Sequence, residues 1–539
     1  MRFVVDPAIA TKIARMNERV RWQHPVWQDA GIDQTRVELV CENRTEGTEA
    51  DAEAPNTVKA SAEKSNRDFS FLVVGDSGTS RHVRDSPQRR ITKKLLQHSS
   101  ECDFILHTGD VVYLVGSSEQ YPDNFIKPYR EFLVGGKSAH KIRFDKMVFN
   151  MPFLPVLGNH DYYDLPLVSG ILSKAFTPLR KLLRRRINFD VGWHGSHQGE
   201  GFARAFLDFV EPLNPPQLKA HLQKHYTAKT DTGYCLRYVP GEFTRLPNRY
   251  YSFRRNGVDF FALDSNTFNA PQPLPTTAEG MALRQKIEKQ RDQLDEQMRS
   301  LALESATLNA DIPEQSSRSA RIYAKMEQID EQLQDIDKQL NASLENTTID
   351  TEQLSWLRDR LIASWHDPTA KGRVLYFHHP PYVTESTKWY QGQTFAVRIH
   401  LREVLNEVQR EVKEYSRPLV DLVLSGHAHC FEYLKTVETG HGDRNIPWVV
   451  CGGSGFSLRR QRKEGAVLEE FGQPVAECHL FLGREGHGSK TKRPYTALRV
   501  DVKYAQEDKD RPQFILRPLV AERFSSQWKA YDLDPIVLG

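Results

Sequence analysis

The stretch that decides the fold opens with FILHTGDVVY at residues 104–113 and closes with FLPVLGNHD at residues 153–161. Each half is a short apolar, β-prone run that stops at a glycine turn carrying polar side chains: Gly109-Asp110 in the first, Gly158-Asn159-His160-Asp161 in the second. Working outward, the pattern recurs. Upstream, FSFLVVGDSG (69–78) ends in Gly75-Asp76-Ser77-Gly78. Downstream, VLYFHHPP (374–381) runs into His378-His379, and VDLVLSGHAH (420–429) into Gly426-His427-Ala428-His429. Helix-like segments lie between, such as 86–97 and 351–364. In the second, Leu354, Leu357 and Leu361 share one face behind cap candidates at Asp350 and Thr351. Strands alternating with helices predict a layered α/β architecture, and in such sheets ligands bind where strand ends and loops converge. Asn256-Gly257 between apolar runs predicts a hairpin, and 497–504 with 513–518 predicts a closing one.

The bulk numbers narrow the classes. A chain of 539 residues predicts about three domains, or one large domain with insertions. With 39% hydrophobic and 27% charged residues the composition is that of a globular protein. Seventy-three basic against 70 acidic side chains leave a net charge of +3, which gives no reason to expect nucleic acid or an anionic membrane as partner. The dense basic run Arg180, Lys181, Arg184, Arg185, Arg186 reads as a solvated helix face. Charges at Arg2, Asp6, Lys12, Arg15, Glu18 and Arg19 interrupt any N-terminal apolar run, and no stretch reaches the length of a membrane helix. The six cysteines are scattered, as expected of reduced core thiols. The expectation is a cytoplasmic protein.

Four segments are expected: a helical extension and linker over 1–66, a first domain part over 67–280, a helical insertion over 281–345, and a second domain part over 346–539. Residues 164–247 fit no motif and are a candidate cap. In the insertion, Ile322, Met326, Ile329, Leu333, Ile336 and Leu340 step alternately by four and three, a heptad seam, and Leu283, Ile287, Leu294, Met298 and Leu301 give a weaker one. An antiparallel helical hairpin is expected, either as decoration or as a device for self-association.

Singly, each glycine turn is weak evidence, since Gly-Asp after a strand is usually only a turn. Five such turns in this order are strong. Carboxylate, amide and imidazole side chains together suit a two-metal site: one carboxylate can bridge, and neutral ligands leave net positive charge to polarise a phosphate.

Asp76-x-Gly78, Gly109-Asp110-x-x-Tyr113, Gly158-Asn159-His160-Asp161, His378 and Gly426-His427-x-His429 resemble the five-block signature of the purple acid phosphatases, within the calcineurin-like metallophosphoesterases. The resemblance spans about 67–270 and 346–518. It implies a metallophosphoesterase β-sandwich flanked by helices and two metal ions. One would be held by Asp76, Asp110, Tyr113 and His429, the other by Asp110, Asn159, His378 and His427. It places His160 beside the phosphate as a catalytic residue, and implies in-line attack on phosphorus by a metal-activated hydroxide. A phenolate ligand at Tyr113 would favour iron there, with iron, zinc or manganese at the second position. The substrate is then a phosphoester, with monoester hydrolysis expected first, phosphodiester hydrolysis as the alternative, and an inactive partner-binding scaffold behind both. The sequence departs from the family pattern in three places. Asp161 stands where glutamate is commoner, His379 precedes two prolines, and no extra pocket histidine appears between Tyr382 and Phe395.

Overall fold

The computed structural model describes residues 4–41, 68–78, 86–164, 199–308, 313–343, 348–487, 490–504, 511–525 and 527–538. The Arg180–Arg186 run and the 42–66 linker lie outside them, as do His194 and His197, which the sequence offers as surface-loop histidines.

Helices α1 (Ile9–Val20) and α2 (Pro25–Asp29) lead to strand β1 (Ile32–Leu39). The first domain part continues with β2 (Phe69–Val74), α3 (Pro87–His98), β3 (Ile105–His107), β4 (Phe153–Pro155) and the short α4 (Asn159–Tyr162). Then come α5 (Gly201–Phe206), α6 (Pro215–His225), β5 (Ala228–Lys229), β6 (Tyr234–Tyr238), β7 (Tyr251–Arg255) and β8 (Val258–Ala262). The insertion is α7 (Ala278–Ala306) and α8 (Pro313–Leu340). The remainder is α9 (Thr351–His366), β9 (Gly372–Tyr376), α10 (Gly392–Val412), β10 (Leu422–Ser425), β11 (Phe431–Thr436), β12 (Pro447–Cys451), β13 (Val467–Glu470), β14 (Gln473–Leu482), β15 (Lys492–Tyr504), β16 (Pro512–Phe524), β17 (Gln527–Asp532) and β18 (Ile536–Leu538).

Two sheets carry the fold. The larger runs β13-β14-β11-β12-β10-β9-β8-β7-β1-β6-β5; the smaller runs β17-β16-β15-β2-β3-β4, with β18 on β16. Strands β2, β3 and β4 are parallel neighbours, as are β8, β9, β10 and β12. The sheets face each other through aromatic side chains: Phe71 meets Phe260 at 5.4 Å between ring centroids, and Phe104 meets Phe253 at 5.4 Å. Those rings are buried, which accounts for the continuously apolar reading of β2, β3 and β8. This is a layered α/β sandwich. At the β7–β8 turn both Asn256 and Gly257 have positive φ, 46° and 84°, as a two-residue hairpin of matching twist requires.

Two boundaries read from the sequence change. Residues 1–41 are not only helical, since β1 joins the large sheet beside β6 and β7. Its apolar and polar residues mix too evenly to announce a strand. The described part of the candidate cap, 199–247, is not a cap either: Phe202, Phe206, Leu207, Val210, Leu236 and Tyr238 sit in the main core. The hairpin α7/α8 has a core of its own, with Leu294, Met298, Ile322, Met326, Ile329, Leu333 and Ile336 buried together. The five buried cysteines and half-buried Cys41 are free thiols. Among the described residues no helix is long and apolar enough to cross a membrane.

Candidate metal centre

Every ligand-type side chain singled out in the sequence follows the C-terminal end of a parallel strand: Asp76 after β2, Asp110 and Tyr113 after β3, Asn159 and His160 after β4, His378 after β9, His427 and His429 after β10. The first three strands belong to one sheet and the last two to the other, so the loops meet where both sheets end. The turns are tight enough to force Asp76, Asp110 and His427 to φ of 51°, 55° and 64°. Non-glycine residues held there cost energy and cluster at functional sites. Glycine is required beside them. A Cβ on Gly158 would lie 2.1 Å from Asp110 Oδ1, and one on Gly78 would lie 2.4 Å from the Tyr113 ring. Tyr113 thus fills the space a side chain at position 78 would need.

Four donor atoms close the first cluster. Tyr113 Oη donates to Asp110 Oδ2 at 2.8 Å and Asp76 Oδ1 at 3.0 Å. His429 Nε2 lies 3.2 Å from that hydroxyl and 3.5 Å from Asp76 Oδ1. His429 Nδ1 is 3.2 Å from the Ser457 carbonyl, so the proton belongs on Nδ1 and the Nε2 lone pair faces the cluster. Burial lowers the imidazole to about 3, keeping it neutral. The Tyr113 ring stacks on Phe456 at 4.1 Å and 9°. Its phenol is pushed well above its usual value by burial and then by Asp110 and Asp76.

The second cluster shares Asp110. His378 Nε2 lies 3.4 Å from Asp110 Oδ2 and 2.9 Å from Asn159 Oδ1, while its Nδ1 is fixed by the Thr108 carbonyl at 2.8 Å. His378, His379 and His427 each bring a ring nitrogen within 4.8 Å of the others. His379 is otherwise engaged, with Nδ1 at 2.9 Å from Ser265 Oγ and Nε2 at 3.3 Å from the Asn269 amide. His427 differs from the rest: Lys388 Nζ at 3.0 Å and Gln393 Nε2 at 3.1 Å both converge on its Nε2. For His427 to hold an ion through Nε2, Lys388 and Gln393 would have to give up that nitrogen.

The donor set fits cations. Asp76 and Asp110 are fully buried within one hydroxyl of each other, and the imidazole of His429 beside them is neutral. Burial and Asp110 push the Asp76 carboxyl well up, the response of an acid lacking a positive partner. Such a pair is stable in its charged form when a cation joins it.

His160 stands outside both clusters. Its backbone N–H donates to Asp110 Oδ1 at 2.9 Å, its Nδ1 faces the Leu114 carbonyl at 2.8 Å, and its Nε2 points at Glu331 of α8 at 3.6 Å. Burial lowers its pKa, but Asp110 and Glu331 outweigh burial and raise it to about 9. Asp161 ties the loops together: its carboxylate accepts from the backbone N–H groups of Gly158 at 2.9 Å, Asp110 at 3.0 Å and Val111 at 3.2 Å. His107, on β3, is a core group whose Nε2 meets Ser77 Oγ at 2.8 Å.

Four site residues were not singled out in the sequence: Lys388, Gln393, Arg459 and Glu331. Lys388 and Gln393 lie in the very segment searched for histidines. Glu331 sits on a helix whose heptad pattern described only its other face.

Residues 69–260 match the family model of the calcineurin-like phosphoesterases, a span holding the first three ligand turns. That segment is similar to a calcineurin-like phosphoesterase domain, and it contributes Asp76 and Asp110 to a candidate metal cluster completed by His378. The chain's solved relatives in shape are distant. One is a purple acid phosphatase from yellow lupin seeds, at 13% identity and TM-score 0.38, aligned over 88% of this chain and 54% of that one. Another is the GAP50 anchor of the Plasmodium inner membrane complex, at 12% identity and TM-score 0.35, over 87% and 89%. A third is PhoD, at 12% identity and TM-score 0.37, over 87% and 69%. The chain thus spans about half the length of the lupin enzyme. No curated protein matches the sequence.

Proposed function

We propose that this calcineurin-like phosphoesterase hydrolyses phosphate monoesters at a binuclear metal centre. The observation that carries the reading is the double engagement of one carboxylate: Asp110 Oδ2 lies 2.8 Å from Tyr113 Oη in one cluster and 3.4 Å from His378 Nε2 in the other. Asp76, Asp110, Tyr113 and His429 would hold one ion; Asp110, Asn159, His378 and His427 the other. When bound, the two cations supply Lewis acidity, which generates the nucleophile from water and offsets charge building on the phosphoryl oxygens.

The protein's own groups do the rest. His378 and His429 are oriented by carbonyls on their Nδ1 atoms, so each presents a lone pair without losing rotamer freedom on binding. Three oxygen donors including a phenol make the Tyr113 cluster the harder one, which favours iron; the amide and imidazoles of the other suit iron, zinc or manganese. His160, anchored at Nδ1 and by its N–H to Asp110, presents Nε2 as a proton donor to the leaving oxygen. Before substrate arrives, Glu331 beside Nε2 favours the charged form of this imidazole. Lys388 and Arg459 add positive charge beyond the clusters. That favours a dianionic monoester over a singly charged diester.

The experiment is a comparison of p-nitrophenyl phosphate with bis(p-nitrophenyl) phosphate on protein loaded with iron, zinc or manganese, beside elemental analysis. The monoester is expected to turn over faster, with two ions per chain. A faster diester would reverse the substrate class. Two bound ions with neither ester hydrolysed would leave a binding protein.

A further inference from the structure

The insertion lies across the metal centre, and it does so with charge. Helix α8 has two inward-facing stripes. One is the apolar seam Ile322, Met326, Ile329, Leu333, Ile336, which packs on α7. The other, turned toward the metal domain, is polar: the Ala324 carbonyl takes a 3.4 Å bond from Arg459 Nη1, Asp335 Oδ1 accepts from the Gln393 backbone N–H at 3.4 Å, and Lys338 pairs with Asp6. In the middle of this stripe Glu331 reaches into the site. One carboxylate oxygen is 3.6 Å from His160 Nε2, the other 3.4 Å from Lys388 Nζ. Lys388 in turn touches His427 at 3.0 Å.

Building on the phosphatase reading above, we propose that Glu331 occupies the phosphate subsite as a built-in competing anion, and that His160, Lys388 and Arg459 are the groups that receive the substrate's phosphate when Glu331 leaves. A carboxylate spanning a histidine and an ammonium offers the same paired oxygens a phosphate would. Arg459 strengthens the case. It is only 3% exposed, its Nη1 donates to the Ala324 carbonyl of α8, and its Nη2 has no hydrogen-bond partner among the described residues, so a buried donor stays unfilled beside this stripe. Burial pushes the Glu331 carboxyl up, but Lys388, His160 and Arg459 outweigh it and keep it anionic. The hairpin can give way because its apolar residues are satisfied against each other. The contacts named here between α8 and the metal domain are polar ones that water can replace.

The test uses metal-loaded full-length protein and inorganic phosphate as probe, with binding read by calorimetry. Glu331→Gln keeps the shape and removes the charge, so phosphate should bind at least about tenfold more tightly than to wild type, and KM for p-nitrophenyl phosphate should fall with it. Lys388→Met should weaken phosphate binding by about tenfold, and in the double variant the gain from Glu331→Gln should shrink. Glu331→Asp should restore most of the competition. Unchanged or weaker phosphate binding by Glu331→Gln overturns the proposal, as does indifference to Lys388→Met. If Glu331→Gln does not fold, the wild type still decides. Phosphate should speed limited proteolysis within α7 and α8, and no change or protection counts against displacement. The outcomes separate this proposal from the enzymatic reading. Tighter phosphate in Glu331→Gln with no ester hydrolysed by any variant keeps the competitor and removes the phosphatase. Normal turnover with no gain in phosphate binding does the reverse.

Discussion

Replacing Asp161 tests whether the two ligand loops are held by one buried carboxylate. Asp161 is fully buried and accepts from Gly158, Asp110 and Val111, thereby joining the loop after β3 to the loop after β4. Those loops carry Asp110 and the amide of Asn159, two of the proposed ligands. Asp161→Ala leaves three backbone N–H groups without their acceptor. Hydrogen bonds contribute roughly 0.5–3 kcal/mol each, the upper end applying to a charged acceptor; burial and Asp110 raise the Asp161 carboxyl to about 7, so the ceiling of about 9 kcal/mol holds only above that pH. Relaxation of the loops and entry of water lower the expected loss to about 3–5 kcal/mol. Asp161→Glu keeps the acceptors and adds one methylene to a full pocket, a cost of about 1–3 kcal/mol. The assay is thermal unfolding of metal-stripped and metal-loaded protein, with elemental analysis of both variants. Asp161→Ala should unfold earlier even when stripped and should retain little metal at either position, whereas Asp161→Glu should hold both ions. An alanine variant within about 0.5 kcal/mol of wild type and with two ions per chain would refute the reasoning.

Three further outcomes are expected. His160→Ala should keep both ions and slow turnover by roughly 10²–10⁴-fold, with the larger loss on esters of poor leaving groups; equal losses on good and poor leaving groups would mean positioning and not proton donation. His107, fully buried, has its pKa lowered by burial to about 3. Its folded value lies below the unfolded one, so its contribution to stability is intact above about pH 6.5 and is lost as pH falls toward 3, by at most roughly 4–5 kcal/mol; denaturant midpoints that stay level from pH 7 to 4.5, or that fall equally in His107→Gln, contradict this. In iron-loaded protein Tyr113→Phe should abolish any visible charge-transfer band without unfolding the site, since the ring still stacks on Phe456; a band that survives removes Tyr113 from the metal shell.

The strand-turn blocks were legible because their signals are local. An apolar run, a glycine and a ligand-type residue lie within ten positions, and the parallel order of the strands then brings the turns together. The clustering of Asp76, Asp110, Tyr113 and His429 needs nothing more. What was illegible is long-range. Strand β1 is recognisable only once β6 and β7 exist to pair with it. Lys388 lies ten residues beyond His378 in a stretch without regular structure, where nothing in the spacing says that it turns back onto His427. Asp161 could be marked as a departure from a family pattern, but its three N–H partners belong to the tertiary arrangement. The heptad of α8 reported the face toward α7 and was silent on the opposite face, because polar residues at the remaining heptad positions look alike whether they meet water or a metal site.

The placement of the hairpin nevertheless follows from topology. Strands β8 and β9 are parallel neighbours, with Val258 opposite Gly372 and Ala262 opposite Tyr376. The connection between them must therefore leave from the C-terminal end of β8 and return to the N-terminal start of β9. The C-terminal end of β8 is the edge at which β9 and β10 deliver His378 and His427. The first residues of the connection already serve that edge: Ser265 and Asn269 hold His379. Any helical insertion begun there emerges beside the metal centre. A hairpin that satisfies its own apolar seam has no further need for a hydrophobic dock, so the face it lays on the site is free to be charged. Glu327 and Glu331, four residues apart, lie on that face, where Arg459 acts on both. A solvated decoration would gain nothing from a glutamate set against a buried histidine and a buried lysine. The arrangement makes sense when the groups it touches are those that take a phosphate.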